Sequence, residues 1–351
     1  MNKSNYLIWF RRVALAGAVL AFVVIVLGAW VRLSAAGLGC PDWPGCYGHL
    51  TAEDAARNAD AINAAFPARP FEYHKAVKEM VHRYFASTLG FVILVLAGLA
   101  IANRNDPEQP VALPIALVGL VIFQGLLGMW TVTLLLKPLI VVLHLLGGLA
   151  TLSLLAWLAM KPAGNGGSRL EIRDSKPVGA SDLRPPAPSL QPLRNLALAG
   201  LIVLVLQIGL GGWTSSNYAA LACPDFPTCQ NAWWPEMDVA DAFVLWRGLG
   251  IDYEGGVLDH PARVAIHFTH RLGAIAAALI LSALSIAAWR VEKRPAVRTA
   301  GALLGVVLLA QLIVGPLMVM RALPLPLATA HNGVAALLLL ATVRLNRVLR
   351  W

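Results

Sequence analysis

Charge is scarce in this sequence: Asp, Glu, Lys and Arg make up 13% of 351 residues, against roughly 25% in an ordinary soluble chain. The length alone would accommodate two or three soluble domains. That organisation is excluded, because 58% of the chain is hydrophobic and the apolar residues gather in long stretches rather than alternating patterns. Cysteine is also rare, with four residues in two C-x5-C pairs. No C-x-x-C-H occurs, which excludes covalent c-type haem attachment, and the C-x5-C interval is not the usual zinc spacing.

What is present points to a bilayer. The apolar stretches approach the roughly 20 residues that cross a bilayer core. Eight spans are expected, at 13–31, 81–102, 112–131, 139–160, 195–214, 264–289, 297–319 and 326–345. The fold class is an all-α polytopic membrane protein. The first span follows Lys3, Arg11 and Arg12 like a signal peptide, but its apolar run is long and Trp30-Val31-Arg32 offers no small-residue cleavage site, so a retained helix is expected.

The net charge of +9 follows topology and does not call for a nucleic acid. Arg11 and Arg12 precede span one. Lys161, Arg169, Arg173, Lys176, Arg184 and Arg194 fill the middle connection. Arg290, Lys293, Arg294 and Arg298 separate spans six and seven, and Arg344, Arg347 and Arg350 finish the chain. The segment 215–263 is acidic instead. Basic connections mark the cytoplasmic side, so both termini are expected there. Residues 161–193, rich in glycine and proline, read as a flexible linker between halves 1–160 and 194–351. The long connections 32–80 and 215–263 then lie outside, partly as interfacial helices, with Trp233, Trp234 and Trp246 suited to the membrane boundary.

The chain is duplicated. Gly28-Ala29-Trp30 and Cys40-Pro41-Asp42-Trp43-Pro44-Gly45-Cys46 recur as Gly211-Gly212-Trp213 and Cys223-Pro224-Asp225-Phe226-Pro227-Thr228-Cys229, 183 residues later. His82-Arg83 recurs as His270-Arg271. Gln124 and His144 recur as Gln311 and His331, both pairs 20 residues apart. Two prolines between the cysteines of each pair bend the chain, so disulfides Cys40–Cys46 and Cys223–Cys229 are expected in a compartment that permits them. Stapling and thiol–disulfide exchange both remain open as their role.

Histidines inside an apolar layer are costly and usually functional. His82, His144, His270 and His331 fall at matched depths, one per helix in two pairs. Two imidazoles without a nearby cysteine or carboxylate cluster suit the axial positions of haem iron; zinc or copper would want further ligands. Gly90, Gly147, Gly148, Gly273 and Gly333 are candidates for admitting a flat macrocycle. Arg83 and Arg271 could pair with propionates or snorkel to the interface. Glu79 precedes His82 by three residues, on one helix face, whereas His267 takes its place in the second half. A carboxylate there can exchange protons, which assigns chemistry to the first half and an electron-transfer haem to the second. His49, His74 and His260 are expected to be solvated, and Gln124 and Gln311 to bond between helices.

Taken together, Glu79-Met80-Val81-His82-Arg83, the Cys40–Cys46 segment, His144 in Leu-His-Leu-Leu-Gly-Gly, His270-Arg271-Leu272-Gly273 and His331-Asn332-Gly333 resemble the haem A synthase family over nearly the whole chain outside 161–193. The resemblance implies two pseudo-symmetric four-helix bundles and oxidation of the C8 methyl of haem O to a formyl group, for cytochrome c oxidase. It implies that His82 and His144 contact substrate haem, that His270 and His331 ligate haem b, and that Glu79 is the catalytic acid. Haem O synthase, oxidase-assembly factors and a quinol or other electron donor are the implied partners. Oxygen chemistry needs an open iron position, so one of His82 and His144 is expected to release during turnover. The rival readings are a di-haem electron carrier, a haem transporter or chaperone, and a quinone-linked disulfide oxidoreductase.

Overall fold

A computed structural model describes residues 3–160 and 190–350. Most of the expected linker, 161–189, lies outside them. Where water is absent, a backbone must satisfy its own N–H and C=O groups, and a helix does so within one segment. Eight helices are long and apolar enough to cross a membrane: α1 (Lys3–Leu33), α4 (Tyr73–Ala102), α5 (Ala112–Thr133), α6 (Pro138–Ala159), α7 (Gln191–Ser216), α9 (His260–Trp289), α10 (Pro295–Met320) and α11 (Leu325–Leu349). Three short helices, α2 (Ala52–Arg57), α3 (Ala59–Ala65) and α8 (Val239–Ala242), occupy the two long connections.

The spans run past their hydropathic limits. Helix α4 begins eight residues before the expected 81, and α7 starts at Gln191, inside the stretch read as linker. Polar residues continue each helix beyond its apolar middle, so Glu79 and His82 stand well inside α4. Proline at the first or second position opens α6, α7, α9, α10 and α11. It fits there because the N–H it lacks would have no intrahelical acceptor.

Helices α1, α4, α5 and α6 form a ring in which each touches the next; α4 and α6 face each other without backbone contact, as do α1 and α5. Helices α7, α9, α10 and α11 repeat the pattern, with α9 opposite α11. The rings join through α1 and α6 against α7 and α11. One apolar core runs through both, from Phe10, Leu152 and Leu155 to Leu281, Leu284 and Leu345.

The duplication is visible in the backbone. At the end carrying the long connections, α1, α5, α7 and α10 each finish with a six-residue reversal: Ala36 N–H donates to Val31 O at 3.0 Å, Leu136 to Thr131 at 2.8 Å, Ala219 to Thr214 at 3.0 Å and Leu323 to Met318 at 2.8 Å. This Schellman closure needs a left-handed residue, normally glycine. Here Ala35, Leu135, Leu136, Tyr218, Ala322 and Leu323 adopt it.

The long connections also lock together. Arg32 donates to Ser215 O at 2.8 Å and lies over the Tyr218 ring at 4.2 Å. Arg69 pairs with Asp252 at 2.5 Å and Glu254 at 3.6 Å. Lys137, between α5 and α6, is buried; its ammonium donates to Gly248 O and lies 3.7 Å from the Trp246 ring. Burial holds its pKa below the usual lysine value. Trp246 packs over this lysine while remaining half-exposed, and Trp233 and Trp234 are more exposed still.

Helices α9 and α10 approach closely at Gly301, where an added Cβ would lie 2.7 Å from Ala288 Cβ and 3.0 Å from Ser285 O. Ser285 Oγ donates to Gly301 O at 2.8 Å across the same gap. Replacing Gly301 with Leu should therefore cost about 1–3 kcal/mol of stability. This would register as a lower thermal unfolding midpoint in detergent. Gly98→Leu, at a position with open space, should leave the midpoint unchanged.

Candidate functional site

The fold sets each histidine pair on the helices that face each other across a ring. His82 on α4 and His144 on α6 lie within electrostatic reach of one another, as do His270 on α9 and His331 on α11. Each imidazole rests against a glycine of a neighbouring helix. A Cβ at Gly28 would stand 3.0 Å from His82 Cε1, at Gly128 3.5 Å from His144 Cε1, at Gly211 3.1 Å from His270 Cε1 and at Gly315 3.2 Å from His331 Cε1.

These are not the glycines that the sequence pointed to. Gly90 and Gly148 lie near Val121 and Ile25, and Gly333 packs against Val26 and Phe22 of α1, at the junction of the two rings. Gly147 and Gly273 make room for the side chains of Gln124 and Gln207. Depth along a helix was legible, but which face meets which neighbour was not.

Polar partners around the rings are few. The Nδ1 atoms of His82, His144 and His331 are buried with no hydrogen-bond partner. Gln207 Nε2 lies 3.0 Å from His270 Nδ1, and Gln311 Nε2 lies 3.3 Å from His331 Nε2. Gln311 thus bonds between helices as expected, whereas Gln124 Nε2 is buried without a partner. No group of three or more His, Cys, Asp or Glu residues converges among the described residues. The donor set of each site is accordingly two imidazoles across a helix ring, and that set fits the two axial positions of a haem iron.

A disulfide loop caps each site. Cys40 pairs with Cys46, and Cys223 with Cys229. Asp42 organises the first loop by accepting from Tyr47 N–H at 2.6 Å and Gly48 N–H at 2.7 Å. Asp225 accepts likewise from Gln230 N–H at 2.8 Å, Asn231 N–H at 3.0 Å and the Thr228 hydroxyl at 2.5 Å. The Thr228 hydroxyl foremost, with the two N–H groups, holds the Asp225 carboxyl below the usual aspartate range.

The two helix arginines tie these loops down. Arg83 donates to Asp42 O at 2.9 Å and Gly45 O at 2.5 Å; Arg271 donates to Thr228 O at 2.7 Å and to Cys223 O and Asp225 O, both at 2.8 Å. Their terminal nitrogens serve loop carbonyls. Glu79 is buried at 4% exposure; it accepts from Cys40 N–H at 2.9 Å and pairs with Arg83 at 2.5 Å. His267 stands in the equivalent place, accepting at Nδ1 from Cys223 N–H at 3.3 Å, with Arg271 Nε 3.3 Å from its Nε2. The carboxylate of one half and the imidazole of the other thus meet the same loop atom.

Among the lower-ranked histidines, His74 and His260 begin α4 and α9 and are exposed, and His49 is half-buried. Gln207 was missed in the sequence: Gln124 and Gln311 drew attention by recurring 20 residues before a histidine, whereas the first half has Val24 in place of Gln207.

Eight spanning helices in two rings, each with opposed imidazoles and a disulfide loop at one end, define a polytopic membrane protein with two histidine-pair sites. The chain belongs to the COX15-CtaA family, described as cytochrome oxidase assembly protein, whose model matches residues 11–343. It is similar to a protein named Heme A synthase from Shewanella oneidensis, at 43% identity over 340 residues, covering 97% of this chain and 96% of that one. Proteins of the same name from Caulobacter vibrioides and Rhizorhabdus wittichii are 28% and 27% identical, over 95% and 92% of this chain and 94% and 89% of theirs.

Two outcomes follow. Gly28→Ala should displace the His82 ring and weaken pigment binding in the first half alone, and Gly211→Ala should do so in the second. Haem stoichiometry and Soret absorbance of the purified variants measure this. Asp225, depressed below its ordinary 3.8, contributes to its loop fully above that pH and loses the contribution as pH falls through its lower folded value. Asp225→Asn should abolish this acid-side loosening of the loop, read by limited proteolysis across pH 2–5.

Proposed function

We propose that this chain is a haem A synthase, converting the C8 methyl of haem O to a formyl group for cytochrome oxidase assembly. The observation that carries this reading is a chemical difference between two equivalent positions: Glu79 in the first half and His267 in the second, each holding its disulfide loop at the equivalent main-chain nitrogen, of Cys40 and of Cys223. Two matched electron-transfer sites would not need that difference. The relatives' shared name supports the reading over nearly the full chain.

The halves divide the work. Residues 1–160 hold substrate haem O between His82 and His144, and residues 194–351 hold a resident haem b between His270 and His331. Bound haem supplies the redox chemistry. With O2 as the oxidant, two successive hydroxylations of the methyl carbon, each taking two electrons from the donor and releasing one water, give a geminal diol, which loses water to leave the aldehyde. Glu79, buried under the loop and paired with Arg83, takes or delivers protons at the substrate's edge. Arg83 and Arg271 would act on a bound haem by fixing the disulfide loops beside the two histidine pairs. Both termini face the cytoplasm across a bacterial inner membrane, in keeping with the basic residues of that side. Haem O synthase and oxidase-assembly factors are the partners, and a quinol or another electron donor serves the haems.

The experiment is pigment extraction from cells making this chain together with haem O synthase. Haem A and its hydroxylated precursor are expected. Glu79→Gln retains an acceptor for Cys40 N–H, so the loop should persist while conversion falls about 10²- to 10⁴-fold, the usual worth of a general acid or base. Undiminished haem A from Glu79→Gln would reduce Glu79 to a brace. An absence of both products from the wild type, with two haems bound, would favour an electron carrier.

A further inference from the structure

Val24 and Gln207 hold equivalent places, four residues before Gly28 and Gly211. On a helix that is about one turn from the glycine on which each histidine ring rests. In the second half, the Gln207 amide lies 3.0 Å from His270 Nδ1 and 3.0 Å from the His270 main-chain oxygen. Its own Oε1 is buried without a partner. Gly273 provides the space, since a Cβ there would collide with that oxygen. The first half has neither feature: Val24 offers His82 only main chain, Phe85 replaces Gly273, and His82 Nδ1 has no hydrogen-bond partner.

We propose that Gln207 is a positioning residue that fixes His270 on the resident haem, and that Val24 in the same place leaves His82 free to release the substrate haem. The proposal rests on the assignment of haem to the two histidine pairs and explains why two similar sites behave differently. A ligating imidazole is oriented by the partner of its other nitrogen, which also raises its basicity toward the metal. When Nε2 binds a metal, Nδ1 carries the hydrogen. Turning the Gln207 amide so that its unpartnered Oε1 accepts from that hydrogen gives up the Nε2 donation to the His270 main-chain oxygen, an exchange of one hydrogen bond for another. No side-chain amide restrains the His82 ring, which has only the main chain at Val24 and its contact with Gly28.

The test exchanges the two residues in the full-length protein, as Gln207→Val and Val24→Gln, in detergent. Gln207→Val should weaken retention of the resident haem about 10- to 100-fold, the usual effect of losing such a partner. Its midpoint potential should rise and its low-spin electron paramagnetic resonance signal should broaden, changes that a packing defect elsewhere would not produce. Val24→Gln should tighten haem O retention and lower haem A yield while the resident haem keeps its potential. A Gln207→Val protein with wild-type potential, spectrum and haem retention would overturn the proposal. If that variant does not fold, unchanged haem O retention in Val24→Gln would overturn it equally. A wild type that makes no haem A, while Gln207→Val still shifts the resident haem, would sink the synthase reading and leave the positioning role standing.

Discussion

An imidazole in the apolar layer of a membrane has no water to bond, and the protein around it must supply what water would have supplied. Four such groups set the terms for this fold. They occupy helices that make no backbone contact with each other across a ring. Each leans on a glycine, and at Gly28, Gly211 and Gly315 even a Cβ would crowd the ring. Three of the four retain a buried nitrogen with no partner. Leaving a buried polar atom unsatisfied costs about 1–3 kcal/mol, which is reasonable at a site that fills with ligand.

The loops above the sites depend on the same economy of polar partners. Each is closed by a disulfide, organised inside by one aspartate and anchored to a helix by one arginine. The anchoring arginine sits beside the histidine in sequence, so loop position and ligand position are set by consecutive residues of one helix. Glu79 belongs to both systems. It holds the Cys40 N–H and Arg83, and it lies one turn from His82 on the same helix face. Proton chemistry and loop closure are therefore coupled through a single carboxylate.

Duplication supplied two copies of this device, and divergence then separated them at a few positions. The helix reversals and the glycine rests remain matched between halves. Carboxylate against imidazole at 79 and 267, and valine against glutamine at 24 and 207, are differences next to the ligands. Lys137, whose counterpart is Pro324, differs at the junction, where it ties the first half to the second long connection. Such changes leave the backbone alone and alter the chemistry.

Much of this was written in the chain. Eight spans, the duplication, both cysteine pairs, the paired histidines and the Glu79–His267 exchange are properties of order and spacing. They were legible because hydropathy sets the spans and because repeats expose what they share. Helix ends were less so, since polar residues can prolong a helix after its apolar run stops. Facing is where sequence fell silent. The glycines beneath the rings, the arginines' turn toward loop carbonyls, the burial of Lys137 under Trp246 and the reach of Gln207 to His270 all depend on which helix lies beside which. Spacing along one helix fixes a residue's depth and side, but only the packing of several helices determines what stands opposite.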